Sequence, residues 1–311
     1  FVSLTIIVSL LLVTSPALAG GKTLNMALSW LDENIETTKG WNGWTVTRCG
    51  IGENLVQIDE NLNIKPVVAE SWEQIDPTTT VFTIRDGVRF HNGQMVDAAA
   101  CKTSIERAHS ITDRKDMKFP LDSITADGNK LTIKTTKPYS ILTNILADPV
   151  YIIVDAKAAS KDPEGFKVKP ICTGAFKVVT FMPDRGLSLV KHEQYWKGVP
   201  DVDTVNVKYL ADGATRSMAL QSGEIDLATS LNANDLKLLE KSEKFNVQKG
   251  PNLRVYLLRL NFQRPYMKNP AFRQALAHGI SKDIYATKIA SGVPARGPFN
   301  SMQPFGYKGD E

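Results

Sequence analysis

The sequence has little of what most enzymes and metal proteins carry. Its three cysteines, Cys49, Cys101 and Cys172, are widely separated and odd in number, which allows at most one disulfide and leaves a thiol free. No Cys-x-x-Cys pair occurs, and His91, His109, His192 and His278 are not paired at metal-ligand spacing. Gly21-Lys22-Thr23 imitates the end of a phosphate-binding loop, but Pro16 stands where its first glycine is required. Gly50-Ile51-Gly52 lacks the third glycine of a dinucleotide fingerprint, His192-Glu193 lacks the second histidine of a zinc helix, and no Gly-x-Ser-x-Gly elbow exists. No residue pattern therefore supports a catalytic centre, a resident metal or a cofactor. A dominant charge is missing too. The 37 basic and 33 acidic residues leave a net charge of +4, and the basic ones are scattered, so a nucleic-acid partner has no support.

What remains is an ordinary globular composition, with 42% apolar and 23% charged residues among 311. That length exceeds what one core usually organises, so two domains, or one large domain with an incomplete partner, are expected. One apolar run stands apart. Residues 1–13 are continuously apolar or hydroxylic, and Ser15-Pro16 and Ala17-Leu18-Ala19 follow as a small-x-small cleavage signature. Residues 1–19 therefore read as a secretory signal peptide, too short for the ~20 residues that span a bilayer. Phe1, with no initiator Met and no basic region, suggests a start clipped by a few residues, and no Cys follows Ala19 to carry a lipid anchor. The expected mature product is a free, soluble periplasmic protein.

Beyond the leader, Leu24, Met26, Leu28 and Trp30 alternate as a strand with one buried face. Residues 41–55 read as a loop and then a helix, with Val46, Cys49 and Glu53 on one side. Phe82 and Ile84 point inward along a strand, Asp86-Gly87 turns, and residues 88–90 form a second strand. Asp97 caps a helix carrying Cys101, Ile105 and Ala108, and Asp127-Gly128-Asn129 turns a hairpin over 124–133. Strands then follow around Phe176/Val178, Leu187/Leu189 and Val205/Val207/Tyr209. Residues 214–221 read as helix, 225–228 as extended, 232–241 as helix and 254–261 as extended, an alternation that suggests α/β layers. Asn269-Pro270 starts a helix through His278, Ser281 starts another ending at Gly292, and 294–311 reads as loop.

Trp41 and Trp44 flank Asn42-Gly43 just after the first strand, where large rings are costly to expose unless something covers them. Core packing and a ligand platform both explain them. Arg48 is either a solvated helix residue or a cation aimed at a ligand carboxylate. Residues 113–116, Asp-Arg-Lys-Asp, read as a solvated loop, His91 as a turn residue bonding local backbone, and Cys101 as a core thiol.

Six collinear motifs then carry a resemblance. They are Ala69-Glu70-Ser71-Trp72-Glu73 with the run Phe82–Gly93 (Phe-Thr-Ile-Arg-Asp-Gly-Val-Arg-Phe-His-Asn-Gly); Thr173-Gly174-Ala175-Phe176; Tyr195-Trp196-Lys197-Gly198; Ser222-Gly223-Glu224-Ile225-Asp226-Leu227; and Arg273-Gln274-Ala275-Leu276 within 269–277. Together they resemble the family 5 extracytoplasmic solute-binding proteins of ABC importers, which take up peptides or nickel complexes. The resemblance runs from Leu24 to about Pro298. Cys172 departs from it where a glycine usually precedes Thr-Gly.

The resemblance implies an α/β, periplasmic-binding-protein type II two-lobe fold with an inserted subdomain. Lobe I would comprise 20–57 and 171–259, the inserted subdomain 58–170, and 260–311 the start of a truncated lobe II, family members being considerably longer. Strand 254–261 would be the hinge crossing. The implied partners are an oligopeptide or a nickel chelate and the membrane subunits of an ABC permease, with the protein a monomer. Peptide members hold their ligand by strand addition, for which 33–44 would supply the edge. In nickel members Arg side chains grip a chelator's carboxylates. Arg114 or Lys115 falls near one such Arg, whereas Asp148-Pro149-Val150 stands where a second is expected. Trp44-Thr45-Val46-Thr47-Arg48 before Gly52-Glu53-Asn54-Leu55 looks more like the nickel branch, and both ligands stay open. The candidate ligand residues are Trp41, Asn42, Trp44, Thr45, Arg48, Arg114 and Lys115. A secreted hydrolase or a periplasmic peptide-holding chaperone is the alternative.

Overall fold

The computed structural model describes residues 21–250, 253–289, 292–295, 297–299, 303 and 306. The expected signal peptide, residues 1–19, lies outside them. In chain order the elements are β1 (Thr23–Leu28), α1 (Asn42–Arg48), β2 (Val56–Ile58), β3 (Ile64–Pro66), β4 (Ala69–Asp76), β5 (Thr79–Ile84), α2 (Ala98–Ile111), β6 (Leu121–Asp127) and β7 (Lys130–Thr135). Three short helices follow, α3 (Leu142–Leu146), α4 (Ala156–Lys161) and α5 (Pro163–Val168), and then β8 (Phe176–Met182), β9 (Gly186–Lys191) and β10 (Thr204–Tyr209). The last elements are α6 (Gly213–Ser222), β11 (Leu227–Ala228), α7 (Ala233–Leu239), α8 (Pro270–Gly279) and α9 (Lys282–Ile284), which runs on as a π-helical turn over Tyr285–Ile289.

Two sheets organise two cores. The first is a mixed five-stranded sheet of order β11-β1-β10-β9-β8, with β1 parallel to both β10 and β11 and the remaining pairs antiparallel. The second is antiparallel, of order β4-β5-β7-β6, and α2 packs on it through Cys101, Ile105 and Ala108, the stripe expected from the sequence. Phe82, Ile84, Leu131 and Ile133 are fully buried there. Met26, Leu28, Val46, Ile51, Leu189 and Val205 anchor the other core. Caps fall where their chemistry allows: Asp97 accepts from the Ala100 amide, Asn269 from Ala271 with Pro270 in the first turn, and Gly223 ends α6 in the left-handed region at φ 79°.

Several expectations are corrected. β1 is not buried on one face only, because Ala27, on the face opposite Met26 and Leu28, packs under α6 and is also inaccessible. α1 stops at Arg48, where Gly50 turns the chain at φ 65°, so Glu53 leaves the Val46–Cys49 face. Residues 88–90 form a single bridge, Arg89 to Met95, closed by the Arg89 guanidinium donating to Gly93 O, rather than a strand. The extended 225–228 pairs only at Leu227–Ala228. Residues 254–261 form no ladder, since no strand among the described residues lies alongside, and Tyr256 and Leu258 are exposed. The helix begun by Ser281 is described as far as Ile289; residues 290 and 291 and most of 300–311 lie outside the described set. All three cysteines are buried and free, and burial pushes the Cys49 thiol up to about 12.

Candidate functional site

β1 and β10 are parallel neighbours, yet the chain leaves them for opposite faces of the sheet. From β1 it runs to α1, whose Val46 packs with Met26 and Leu28; from β10 it runs to α6, whose Ala219 packs with Ala27. In open α/β sheets such a divergence is where the ligand crevice usually lies, at the carboxyl ends of the two strands. Loop 29–41, loop 210–213 and the β11–α7 loop, 229–232, all begin at that edge.

Loop 29–41 is held from below by a buried ion pair. Arg107 of α2 grips Glu36 with two N–H donors at 2.6 and 3.1 Å and lies over the Phe166 ring. Burial pushes the Glu36 carboxyl up, but Arg107 and the Thr38 amide and hydroxyl outweigh it and hold it below the ordinary value. The loop's amides are spent on the protein itself. Ile35 N donates to Lys167 O, Glu36 N to Asn34 Oδ1, Thr38 N to Glu36 Oε1, Lys39 N to Glu36 O, Gly40 N to Asp113 Oδ1, and Asn42 N to Lys39 O. The segment 33–44, expected as a free strand edge, instead turns over 37–41 and enters α1 at Asn42, with the amides of Ile35, Glu36, Thr38, Lys39, Gly40 and Asn42 already bonded within the protein.

α1 divides the candidate residues between its two faces. Asn42 and Thr45 are buried, Asn42 Nδ2 donating to Asn34 Oδ1 at 2.9 Å. Trp41 is 56% exposed and Trp44 37%, so core packing does not account for either ring. The Arg114 guanidinium lies 4.1 Å from the centre of the Trp41 ring, and Arg48 lies 5.9 Å from that of Trp44. Arg114 also donates through Nε and Nη2 to Asp116, at 3.0 and 2.6 Å, and Lys115 beside it is exposed. The 113–116 stretch, read as a solvated loop, is therefore tied to the α1 entrance, through Arg114 on Trp41 and Asp113 on Gly40.

Asp148 completes this neighbourhood. Gly43 lets α1 sit against Pro149, since a Cβ there would fall 2.6 Å from Pro149 O. The Asp148 side chain accepts from Val150 N, and burial pushes its carboxyl up against the opposing pull of Arg114. Residue patterns alone did not single out Glu36, Arg107 or Asp148 as site-forming; Glu36 and Arg107 meet across 71 residues of chain, with no local periodicity to announce it. His91 has a structural role, as expected, but not the expected local one: Cys172 N donates to its Nδ1 and its Nε2 meets Gly174 O, 81 and 83 residues further along the chain. A surface depression of about 580 Å³ between α2 and α4 includes none of the exposed α1 residues. Among the described residues no group of three His, Cys, Asp or Glu is placed to hold a metal ion.

A sequence family described as bacterial extracellular solute-binding proteins, family 5 middle, matches residues 63–311. The chain belongs to this family. It is similar to the nickel-binding protein NikA of Staphylococcus aureus, 31% identical over 289 residues, which cover 92% of this chain and 57% of NikA. The crystal structure of S. aureus NikA in complex with Ni(L-His)2 superposes with a TM-score of 0.77 at 30% identity, over 91% of this chain and 60% of that one. The periplasmic binding protein DppA of Helicobacter pylori, in complex with the peptide STSA, gives 0.76 at 26% identity, over 90% and 61%. The α/β fold is thus that of the type II periplasmic binding proteins, and the chain spans about three-fifths of the length of these relatives. These matches lend the hydrolase and chaperone alternatives no support. No helix among the described residues is long and apolar enough to cross a membrane.

Proposed function

We propose that this protein is the extracytoplasmic solute-binding component of an ABC importer, and that it captures a compact chelate such as nickel held by histidine rather than an extended peptide. The observation that carries the choice is the consumption of the loop's amides at Ile35, Glu36, Thr38, Lys39, Gly40 and Asn42. Strand addition needs a free row of backbone donors and acceptors, and this segment offers none at those positions. A compact, carboxylate-bearing complex asks instead for aromatic faces and cations. Trp41, Trp44, Arg48, Arg114 and Lys115 supply them on one exposed region, with Asn42 and Thr45 supporting from beneath.

In this reading lobe I comprises 20–57 and 171–259, the inserted subdomain 58–170, and a second lobe starts near residue 260. Ligand selects the closed arrangement of the lobes, which the permease recognises. The protein acts without catalysis, as a monomer, in the periplasm. Thermal unfolding of the purified protein with nickel and L-histidine together, with nickel alone, and with tri- to hexapeptides tests the ligand choice. Nickel with histidine is expected to raise the midpoint, by roughly 2.7 kcal/mol of stabilisation at a hundredfold excess over Kd. A shift with peptides only overturns the chelate reading.

A further inference from the structure

Arg216, on α6, is 3% exposed, and its whole hydrogen-bonding fork is turned onto the main chain. Nε donates to Thr229 O at 2.9 Å, Nη1 to Ala211 O at 2.9 Å and to Leu210 O, and Nη2 to Ser230 O. The neighbouring carboxylate, Asp212, caps α6 through the Thr215 amide and hydroxyl. A guanidinium buried among carbonyls is an expensive way to fill space, because desolvating the charge offsets much of what the hydrogen bonds return. What it accomplishes is geometric. It draws together loop 210–213, at the end of β10, and loop 229–232, at the end of β11, two of the three loops that start at the carboxyl edge.

Two further features show that this junction is tightly set. Ser230 is exposed yet sits at φ 56°, in the left-handed region that disfavours a non-glycine residue. Gly213 faces Asn232 so closely that a Cβ would lie 2.7 Å from Asn232 Oδ1. Strain of this kind persists where surrounding contacts over-determine the backbone, and it gathers at ligand sites.

We infer that Arg216 is a positioning residue for ligand capture: its four-carbonyl clamp fixes the backbone of loops 210–213 and 229–232 in the arrangement that shapes the ligand position at the carboxyl edge of β1 and β10. The inference rests on that crevice being the binding site. It does not depend on whether the ligand is a chelate or a peptide. Lysine at 216 keeps the charge but cannot span carbonyls of both loops, since an ammonium lacks the planar fork. Valine at 230 resists the left-handed conformation, whereas glycine adopts it freely.

The test compares wild type, Arg216→Lys, Ser230→Val and Ser230→Gly by stopped-flow binding well below each thermal midpoint, using nickel–histidine or the peptide, whichever the wild type binds. Arg216→Lys and Ser230→Val are expected to bind at least tenfold more weakly through faster dissociation, with association within about twofold of wild type. Ser230→Gly is expected to stay within about threefold of wild type in both rates. A purely structural Arg216 would lower the midpoint and leave both rate constants of the folded protein unchanged, which would overturn the inference. Should Arg216→Lys fail to fold, Ser230→Val decides, because its altered side chain is exposed; wild-type dissociation in that variant refutes the role. A wild type that binds peptide but not nickel–histidine removes the chelate reading and leaves this comparison intact.

Discussion

At the scale of single residues, burial and charge set measurable consequences. His91 is pulled down to about 3, first by burial and then by the neighbouring His192, whose ring centre lies 5.1 Å away. An unfolded histidine titrates near 6.5. Between those values the unfolded chain binds a proton that the native His91 does not, so stability falls as pH drops from about 6.5 towards 3. Each pH unit in that window costs up to ~1.4 kcal/mol, and His192, lowered mainly by burial, adds in the same direction. Urea midpoints measured between about pH 7.5 and pH 4 should therefore decline, and His91→Asn should decline less steeply; parallel curves would show that His91 is not held neutral. Trp44 is a contrasting case. Its ring is part-exposed and meets Arg48, so Trp44→Ala should leave the urea midpoint nearly unchanged while weakening ligand binding roughly tenfold, the ~1.4 kcal/mol of an aromatic contact. Isothermal titration beside a urea curve separates the two effects.

At the scale of elements, local signals account for much of what formed and long-range pairing for the rest. Asp97 with its Cys101–Ile105–Ala108 stripe, the Gly128 turn and the Asn269-Pro270 start were all legible, because cap, turn and period are written in adjacent residues. The length of α1 was not legible. Its residues continue an acceptable helix pattern to Glu53, and the chain turns away because Glu53 is the acceptor for distant donors: Tyr195 Oη at 2.8 Å, Trp196 Nε1 at 2.9 Å, Thr173 Oγ1 at 3.1 Å and Lys197 Nζ at 3.2 Å. Those groups belong to the Thr-Gly-Ala-Phe and Tyr-Trp-Lys-Gly motifs, so three separate stretches of chain meet on one carboxylate. Glu53→Ala should leave the buried Thr173 hydroxyl and the half-buried Tyr195 and Trp196 donors without their acceptor and destabilise the fold by about 3 kcal/mol, read from chemical unfolding. A loss below ~1 kcal/mol would mean that the motifs are held by packing alone. The same long-range logic explains the site. The exposure of Trp41 and Trp44 was an open question in the sequence, and the Arg114–Trp41 contact was unreadable, since it joins loops on either side of β2 to β5 and α2.

At the scale of the whole molecule, two cores and one sheet edge frame the account. The antiparallel sheet with α2 buries Phe82, Leu131 and Ile133, and the mixed sheet buries Leu189 and Val205; the Arg107–Glu36 pair joins α2 to the loop that leaves β1. That loop, with Trp41, Trp44, Arg48 and Arg114 around its end, marks one side of the proposed ligand position, and the Arg216 clamp sets the other. The central claim is that this surface takes a compact nickel chelate. The most direct test is isothermal titration of the purified protein with nickel in the presence of two equivalents of L-histidine, with nickel alone and each of several tri- to hexapeptides titrated in parallel. Saturable one-to-one binding is expected with nickel and histidine together, lost or much weakened when histidine is left out; saturable binding to peptides with none to the nickel–histidine complex would overturn the chelate reading.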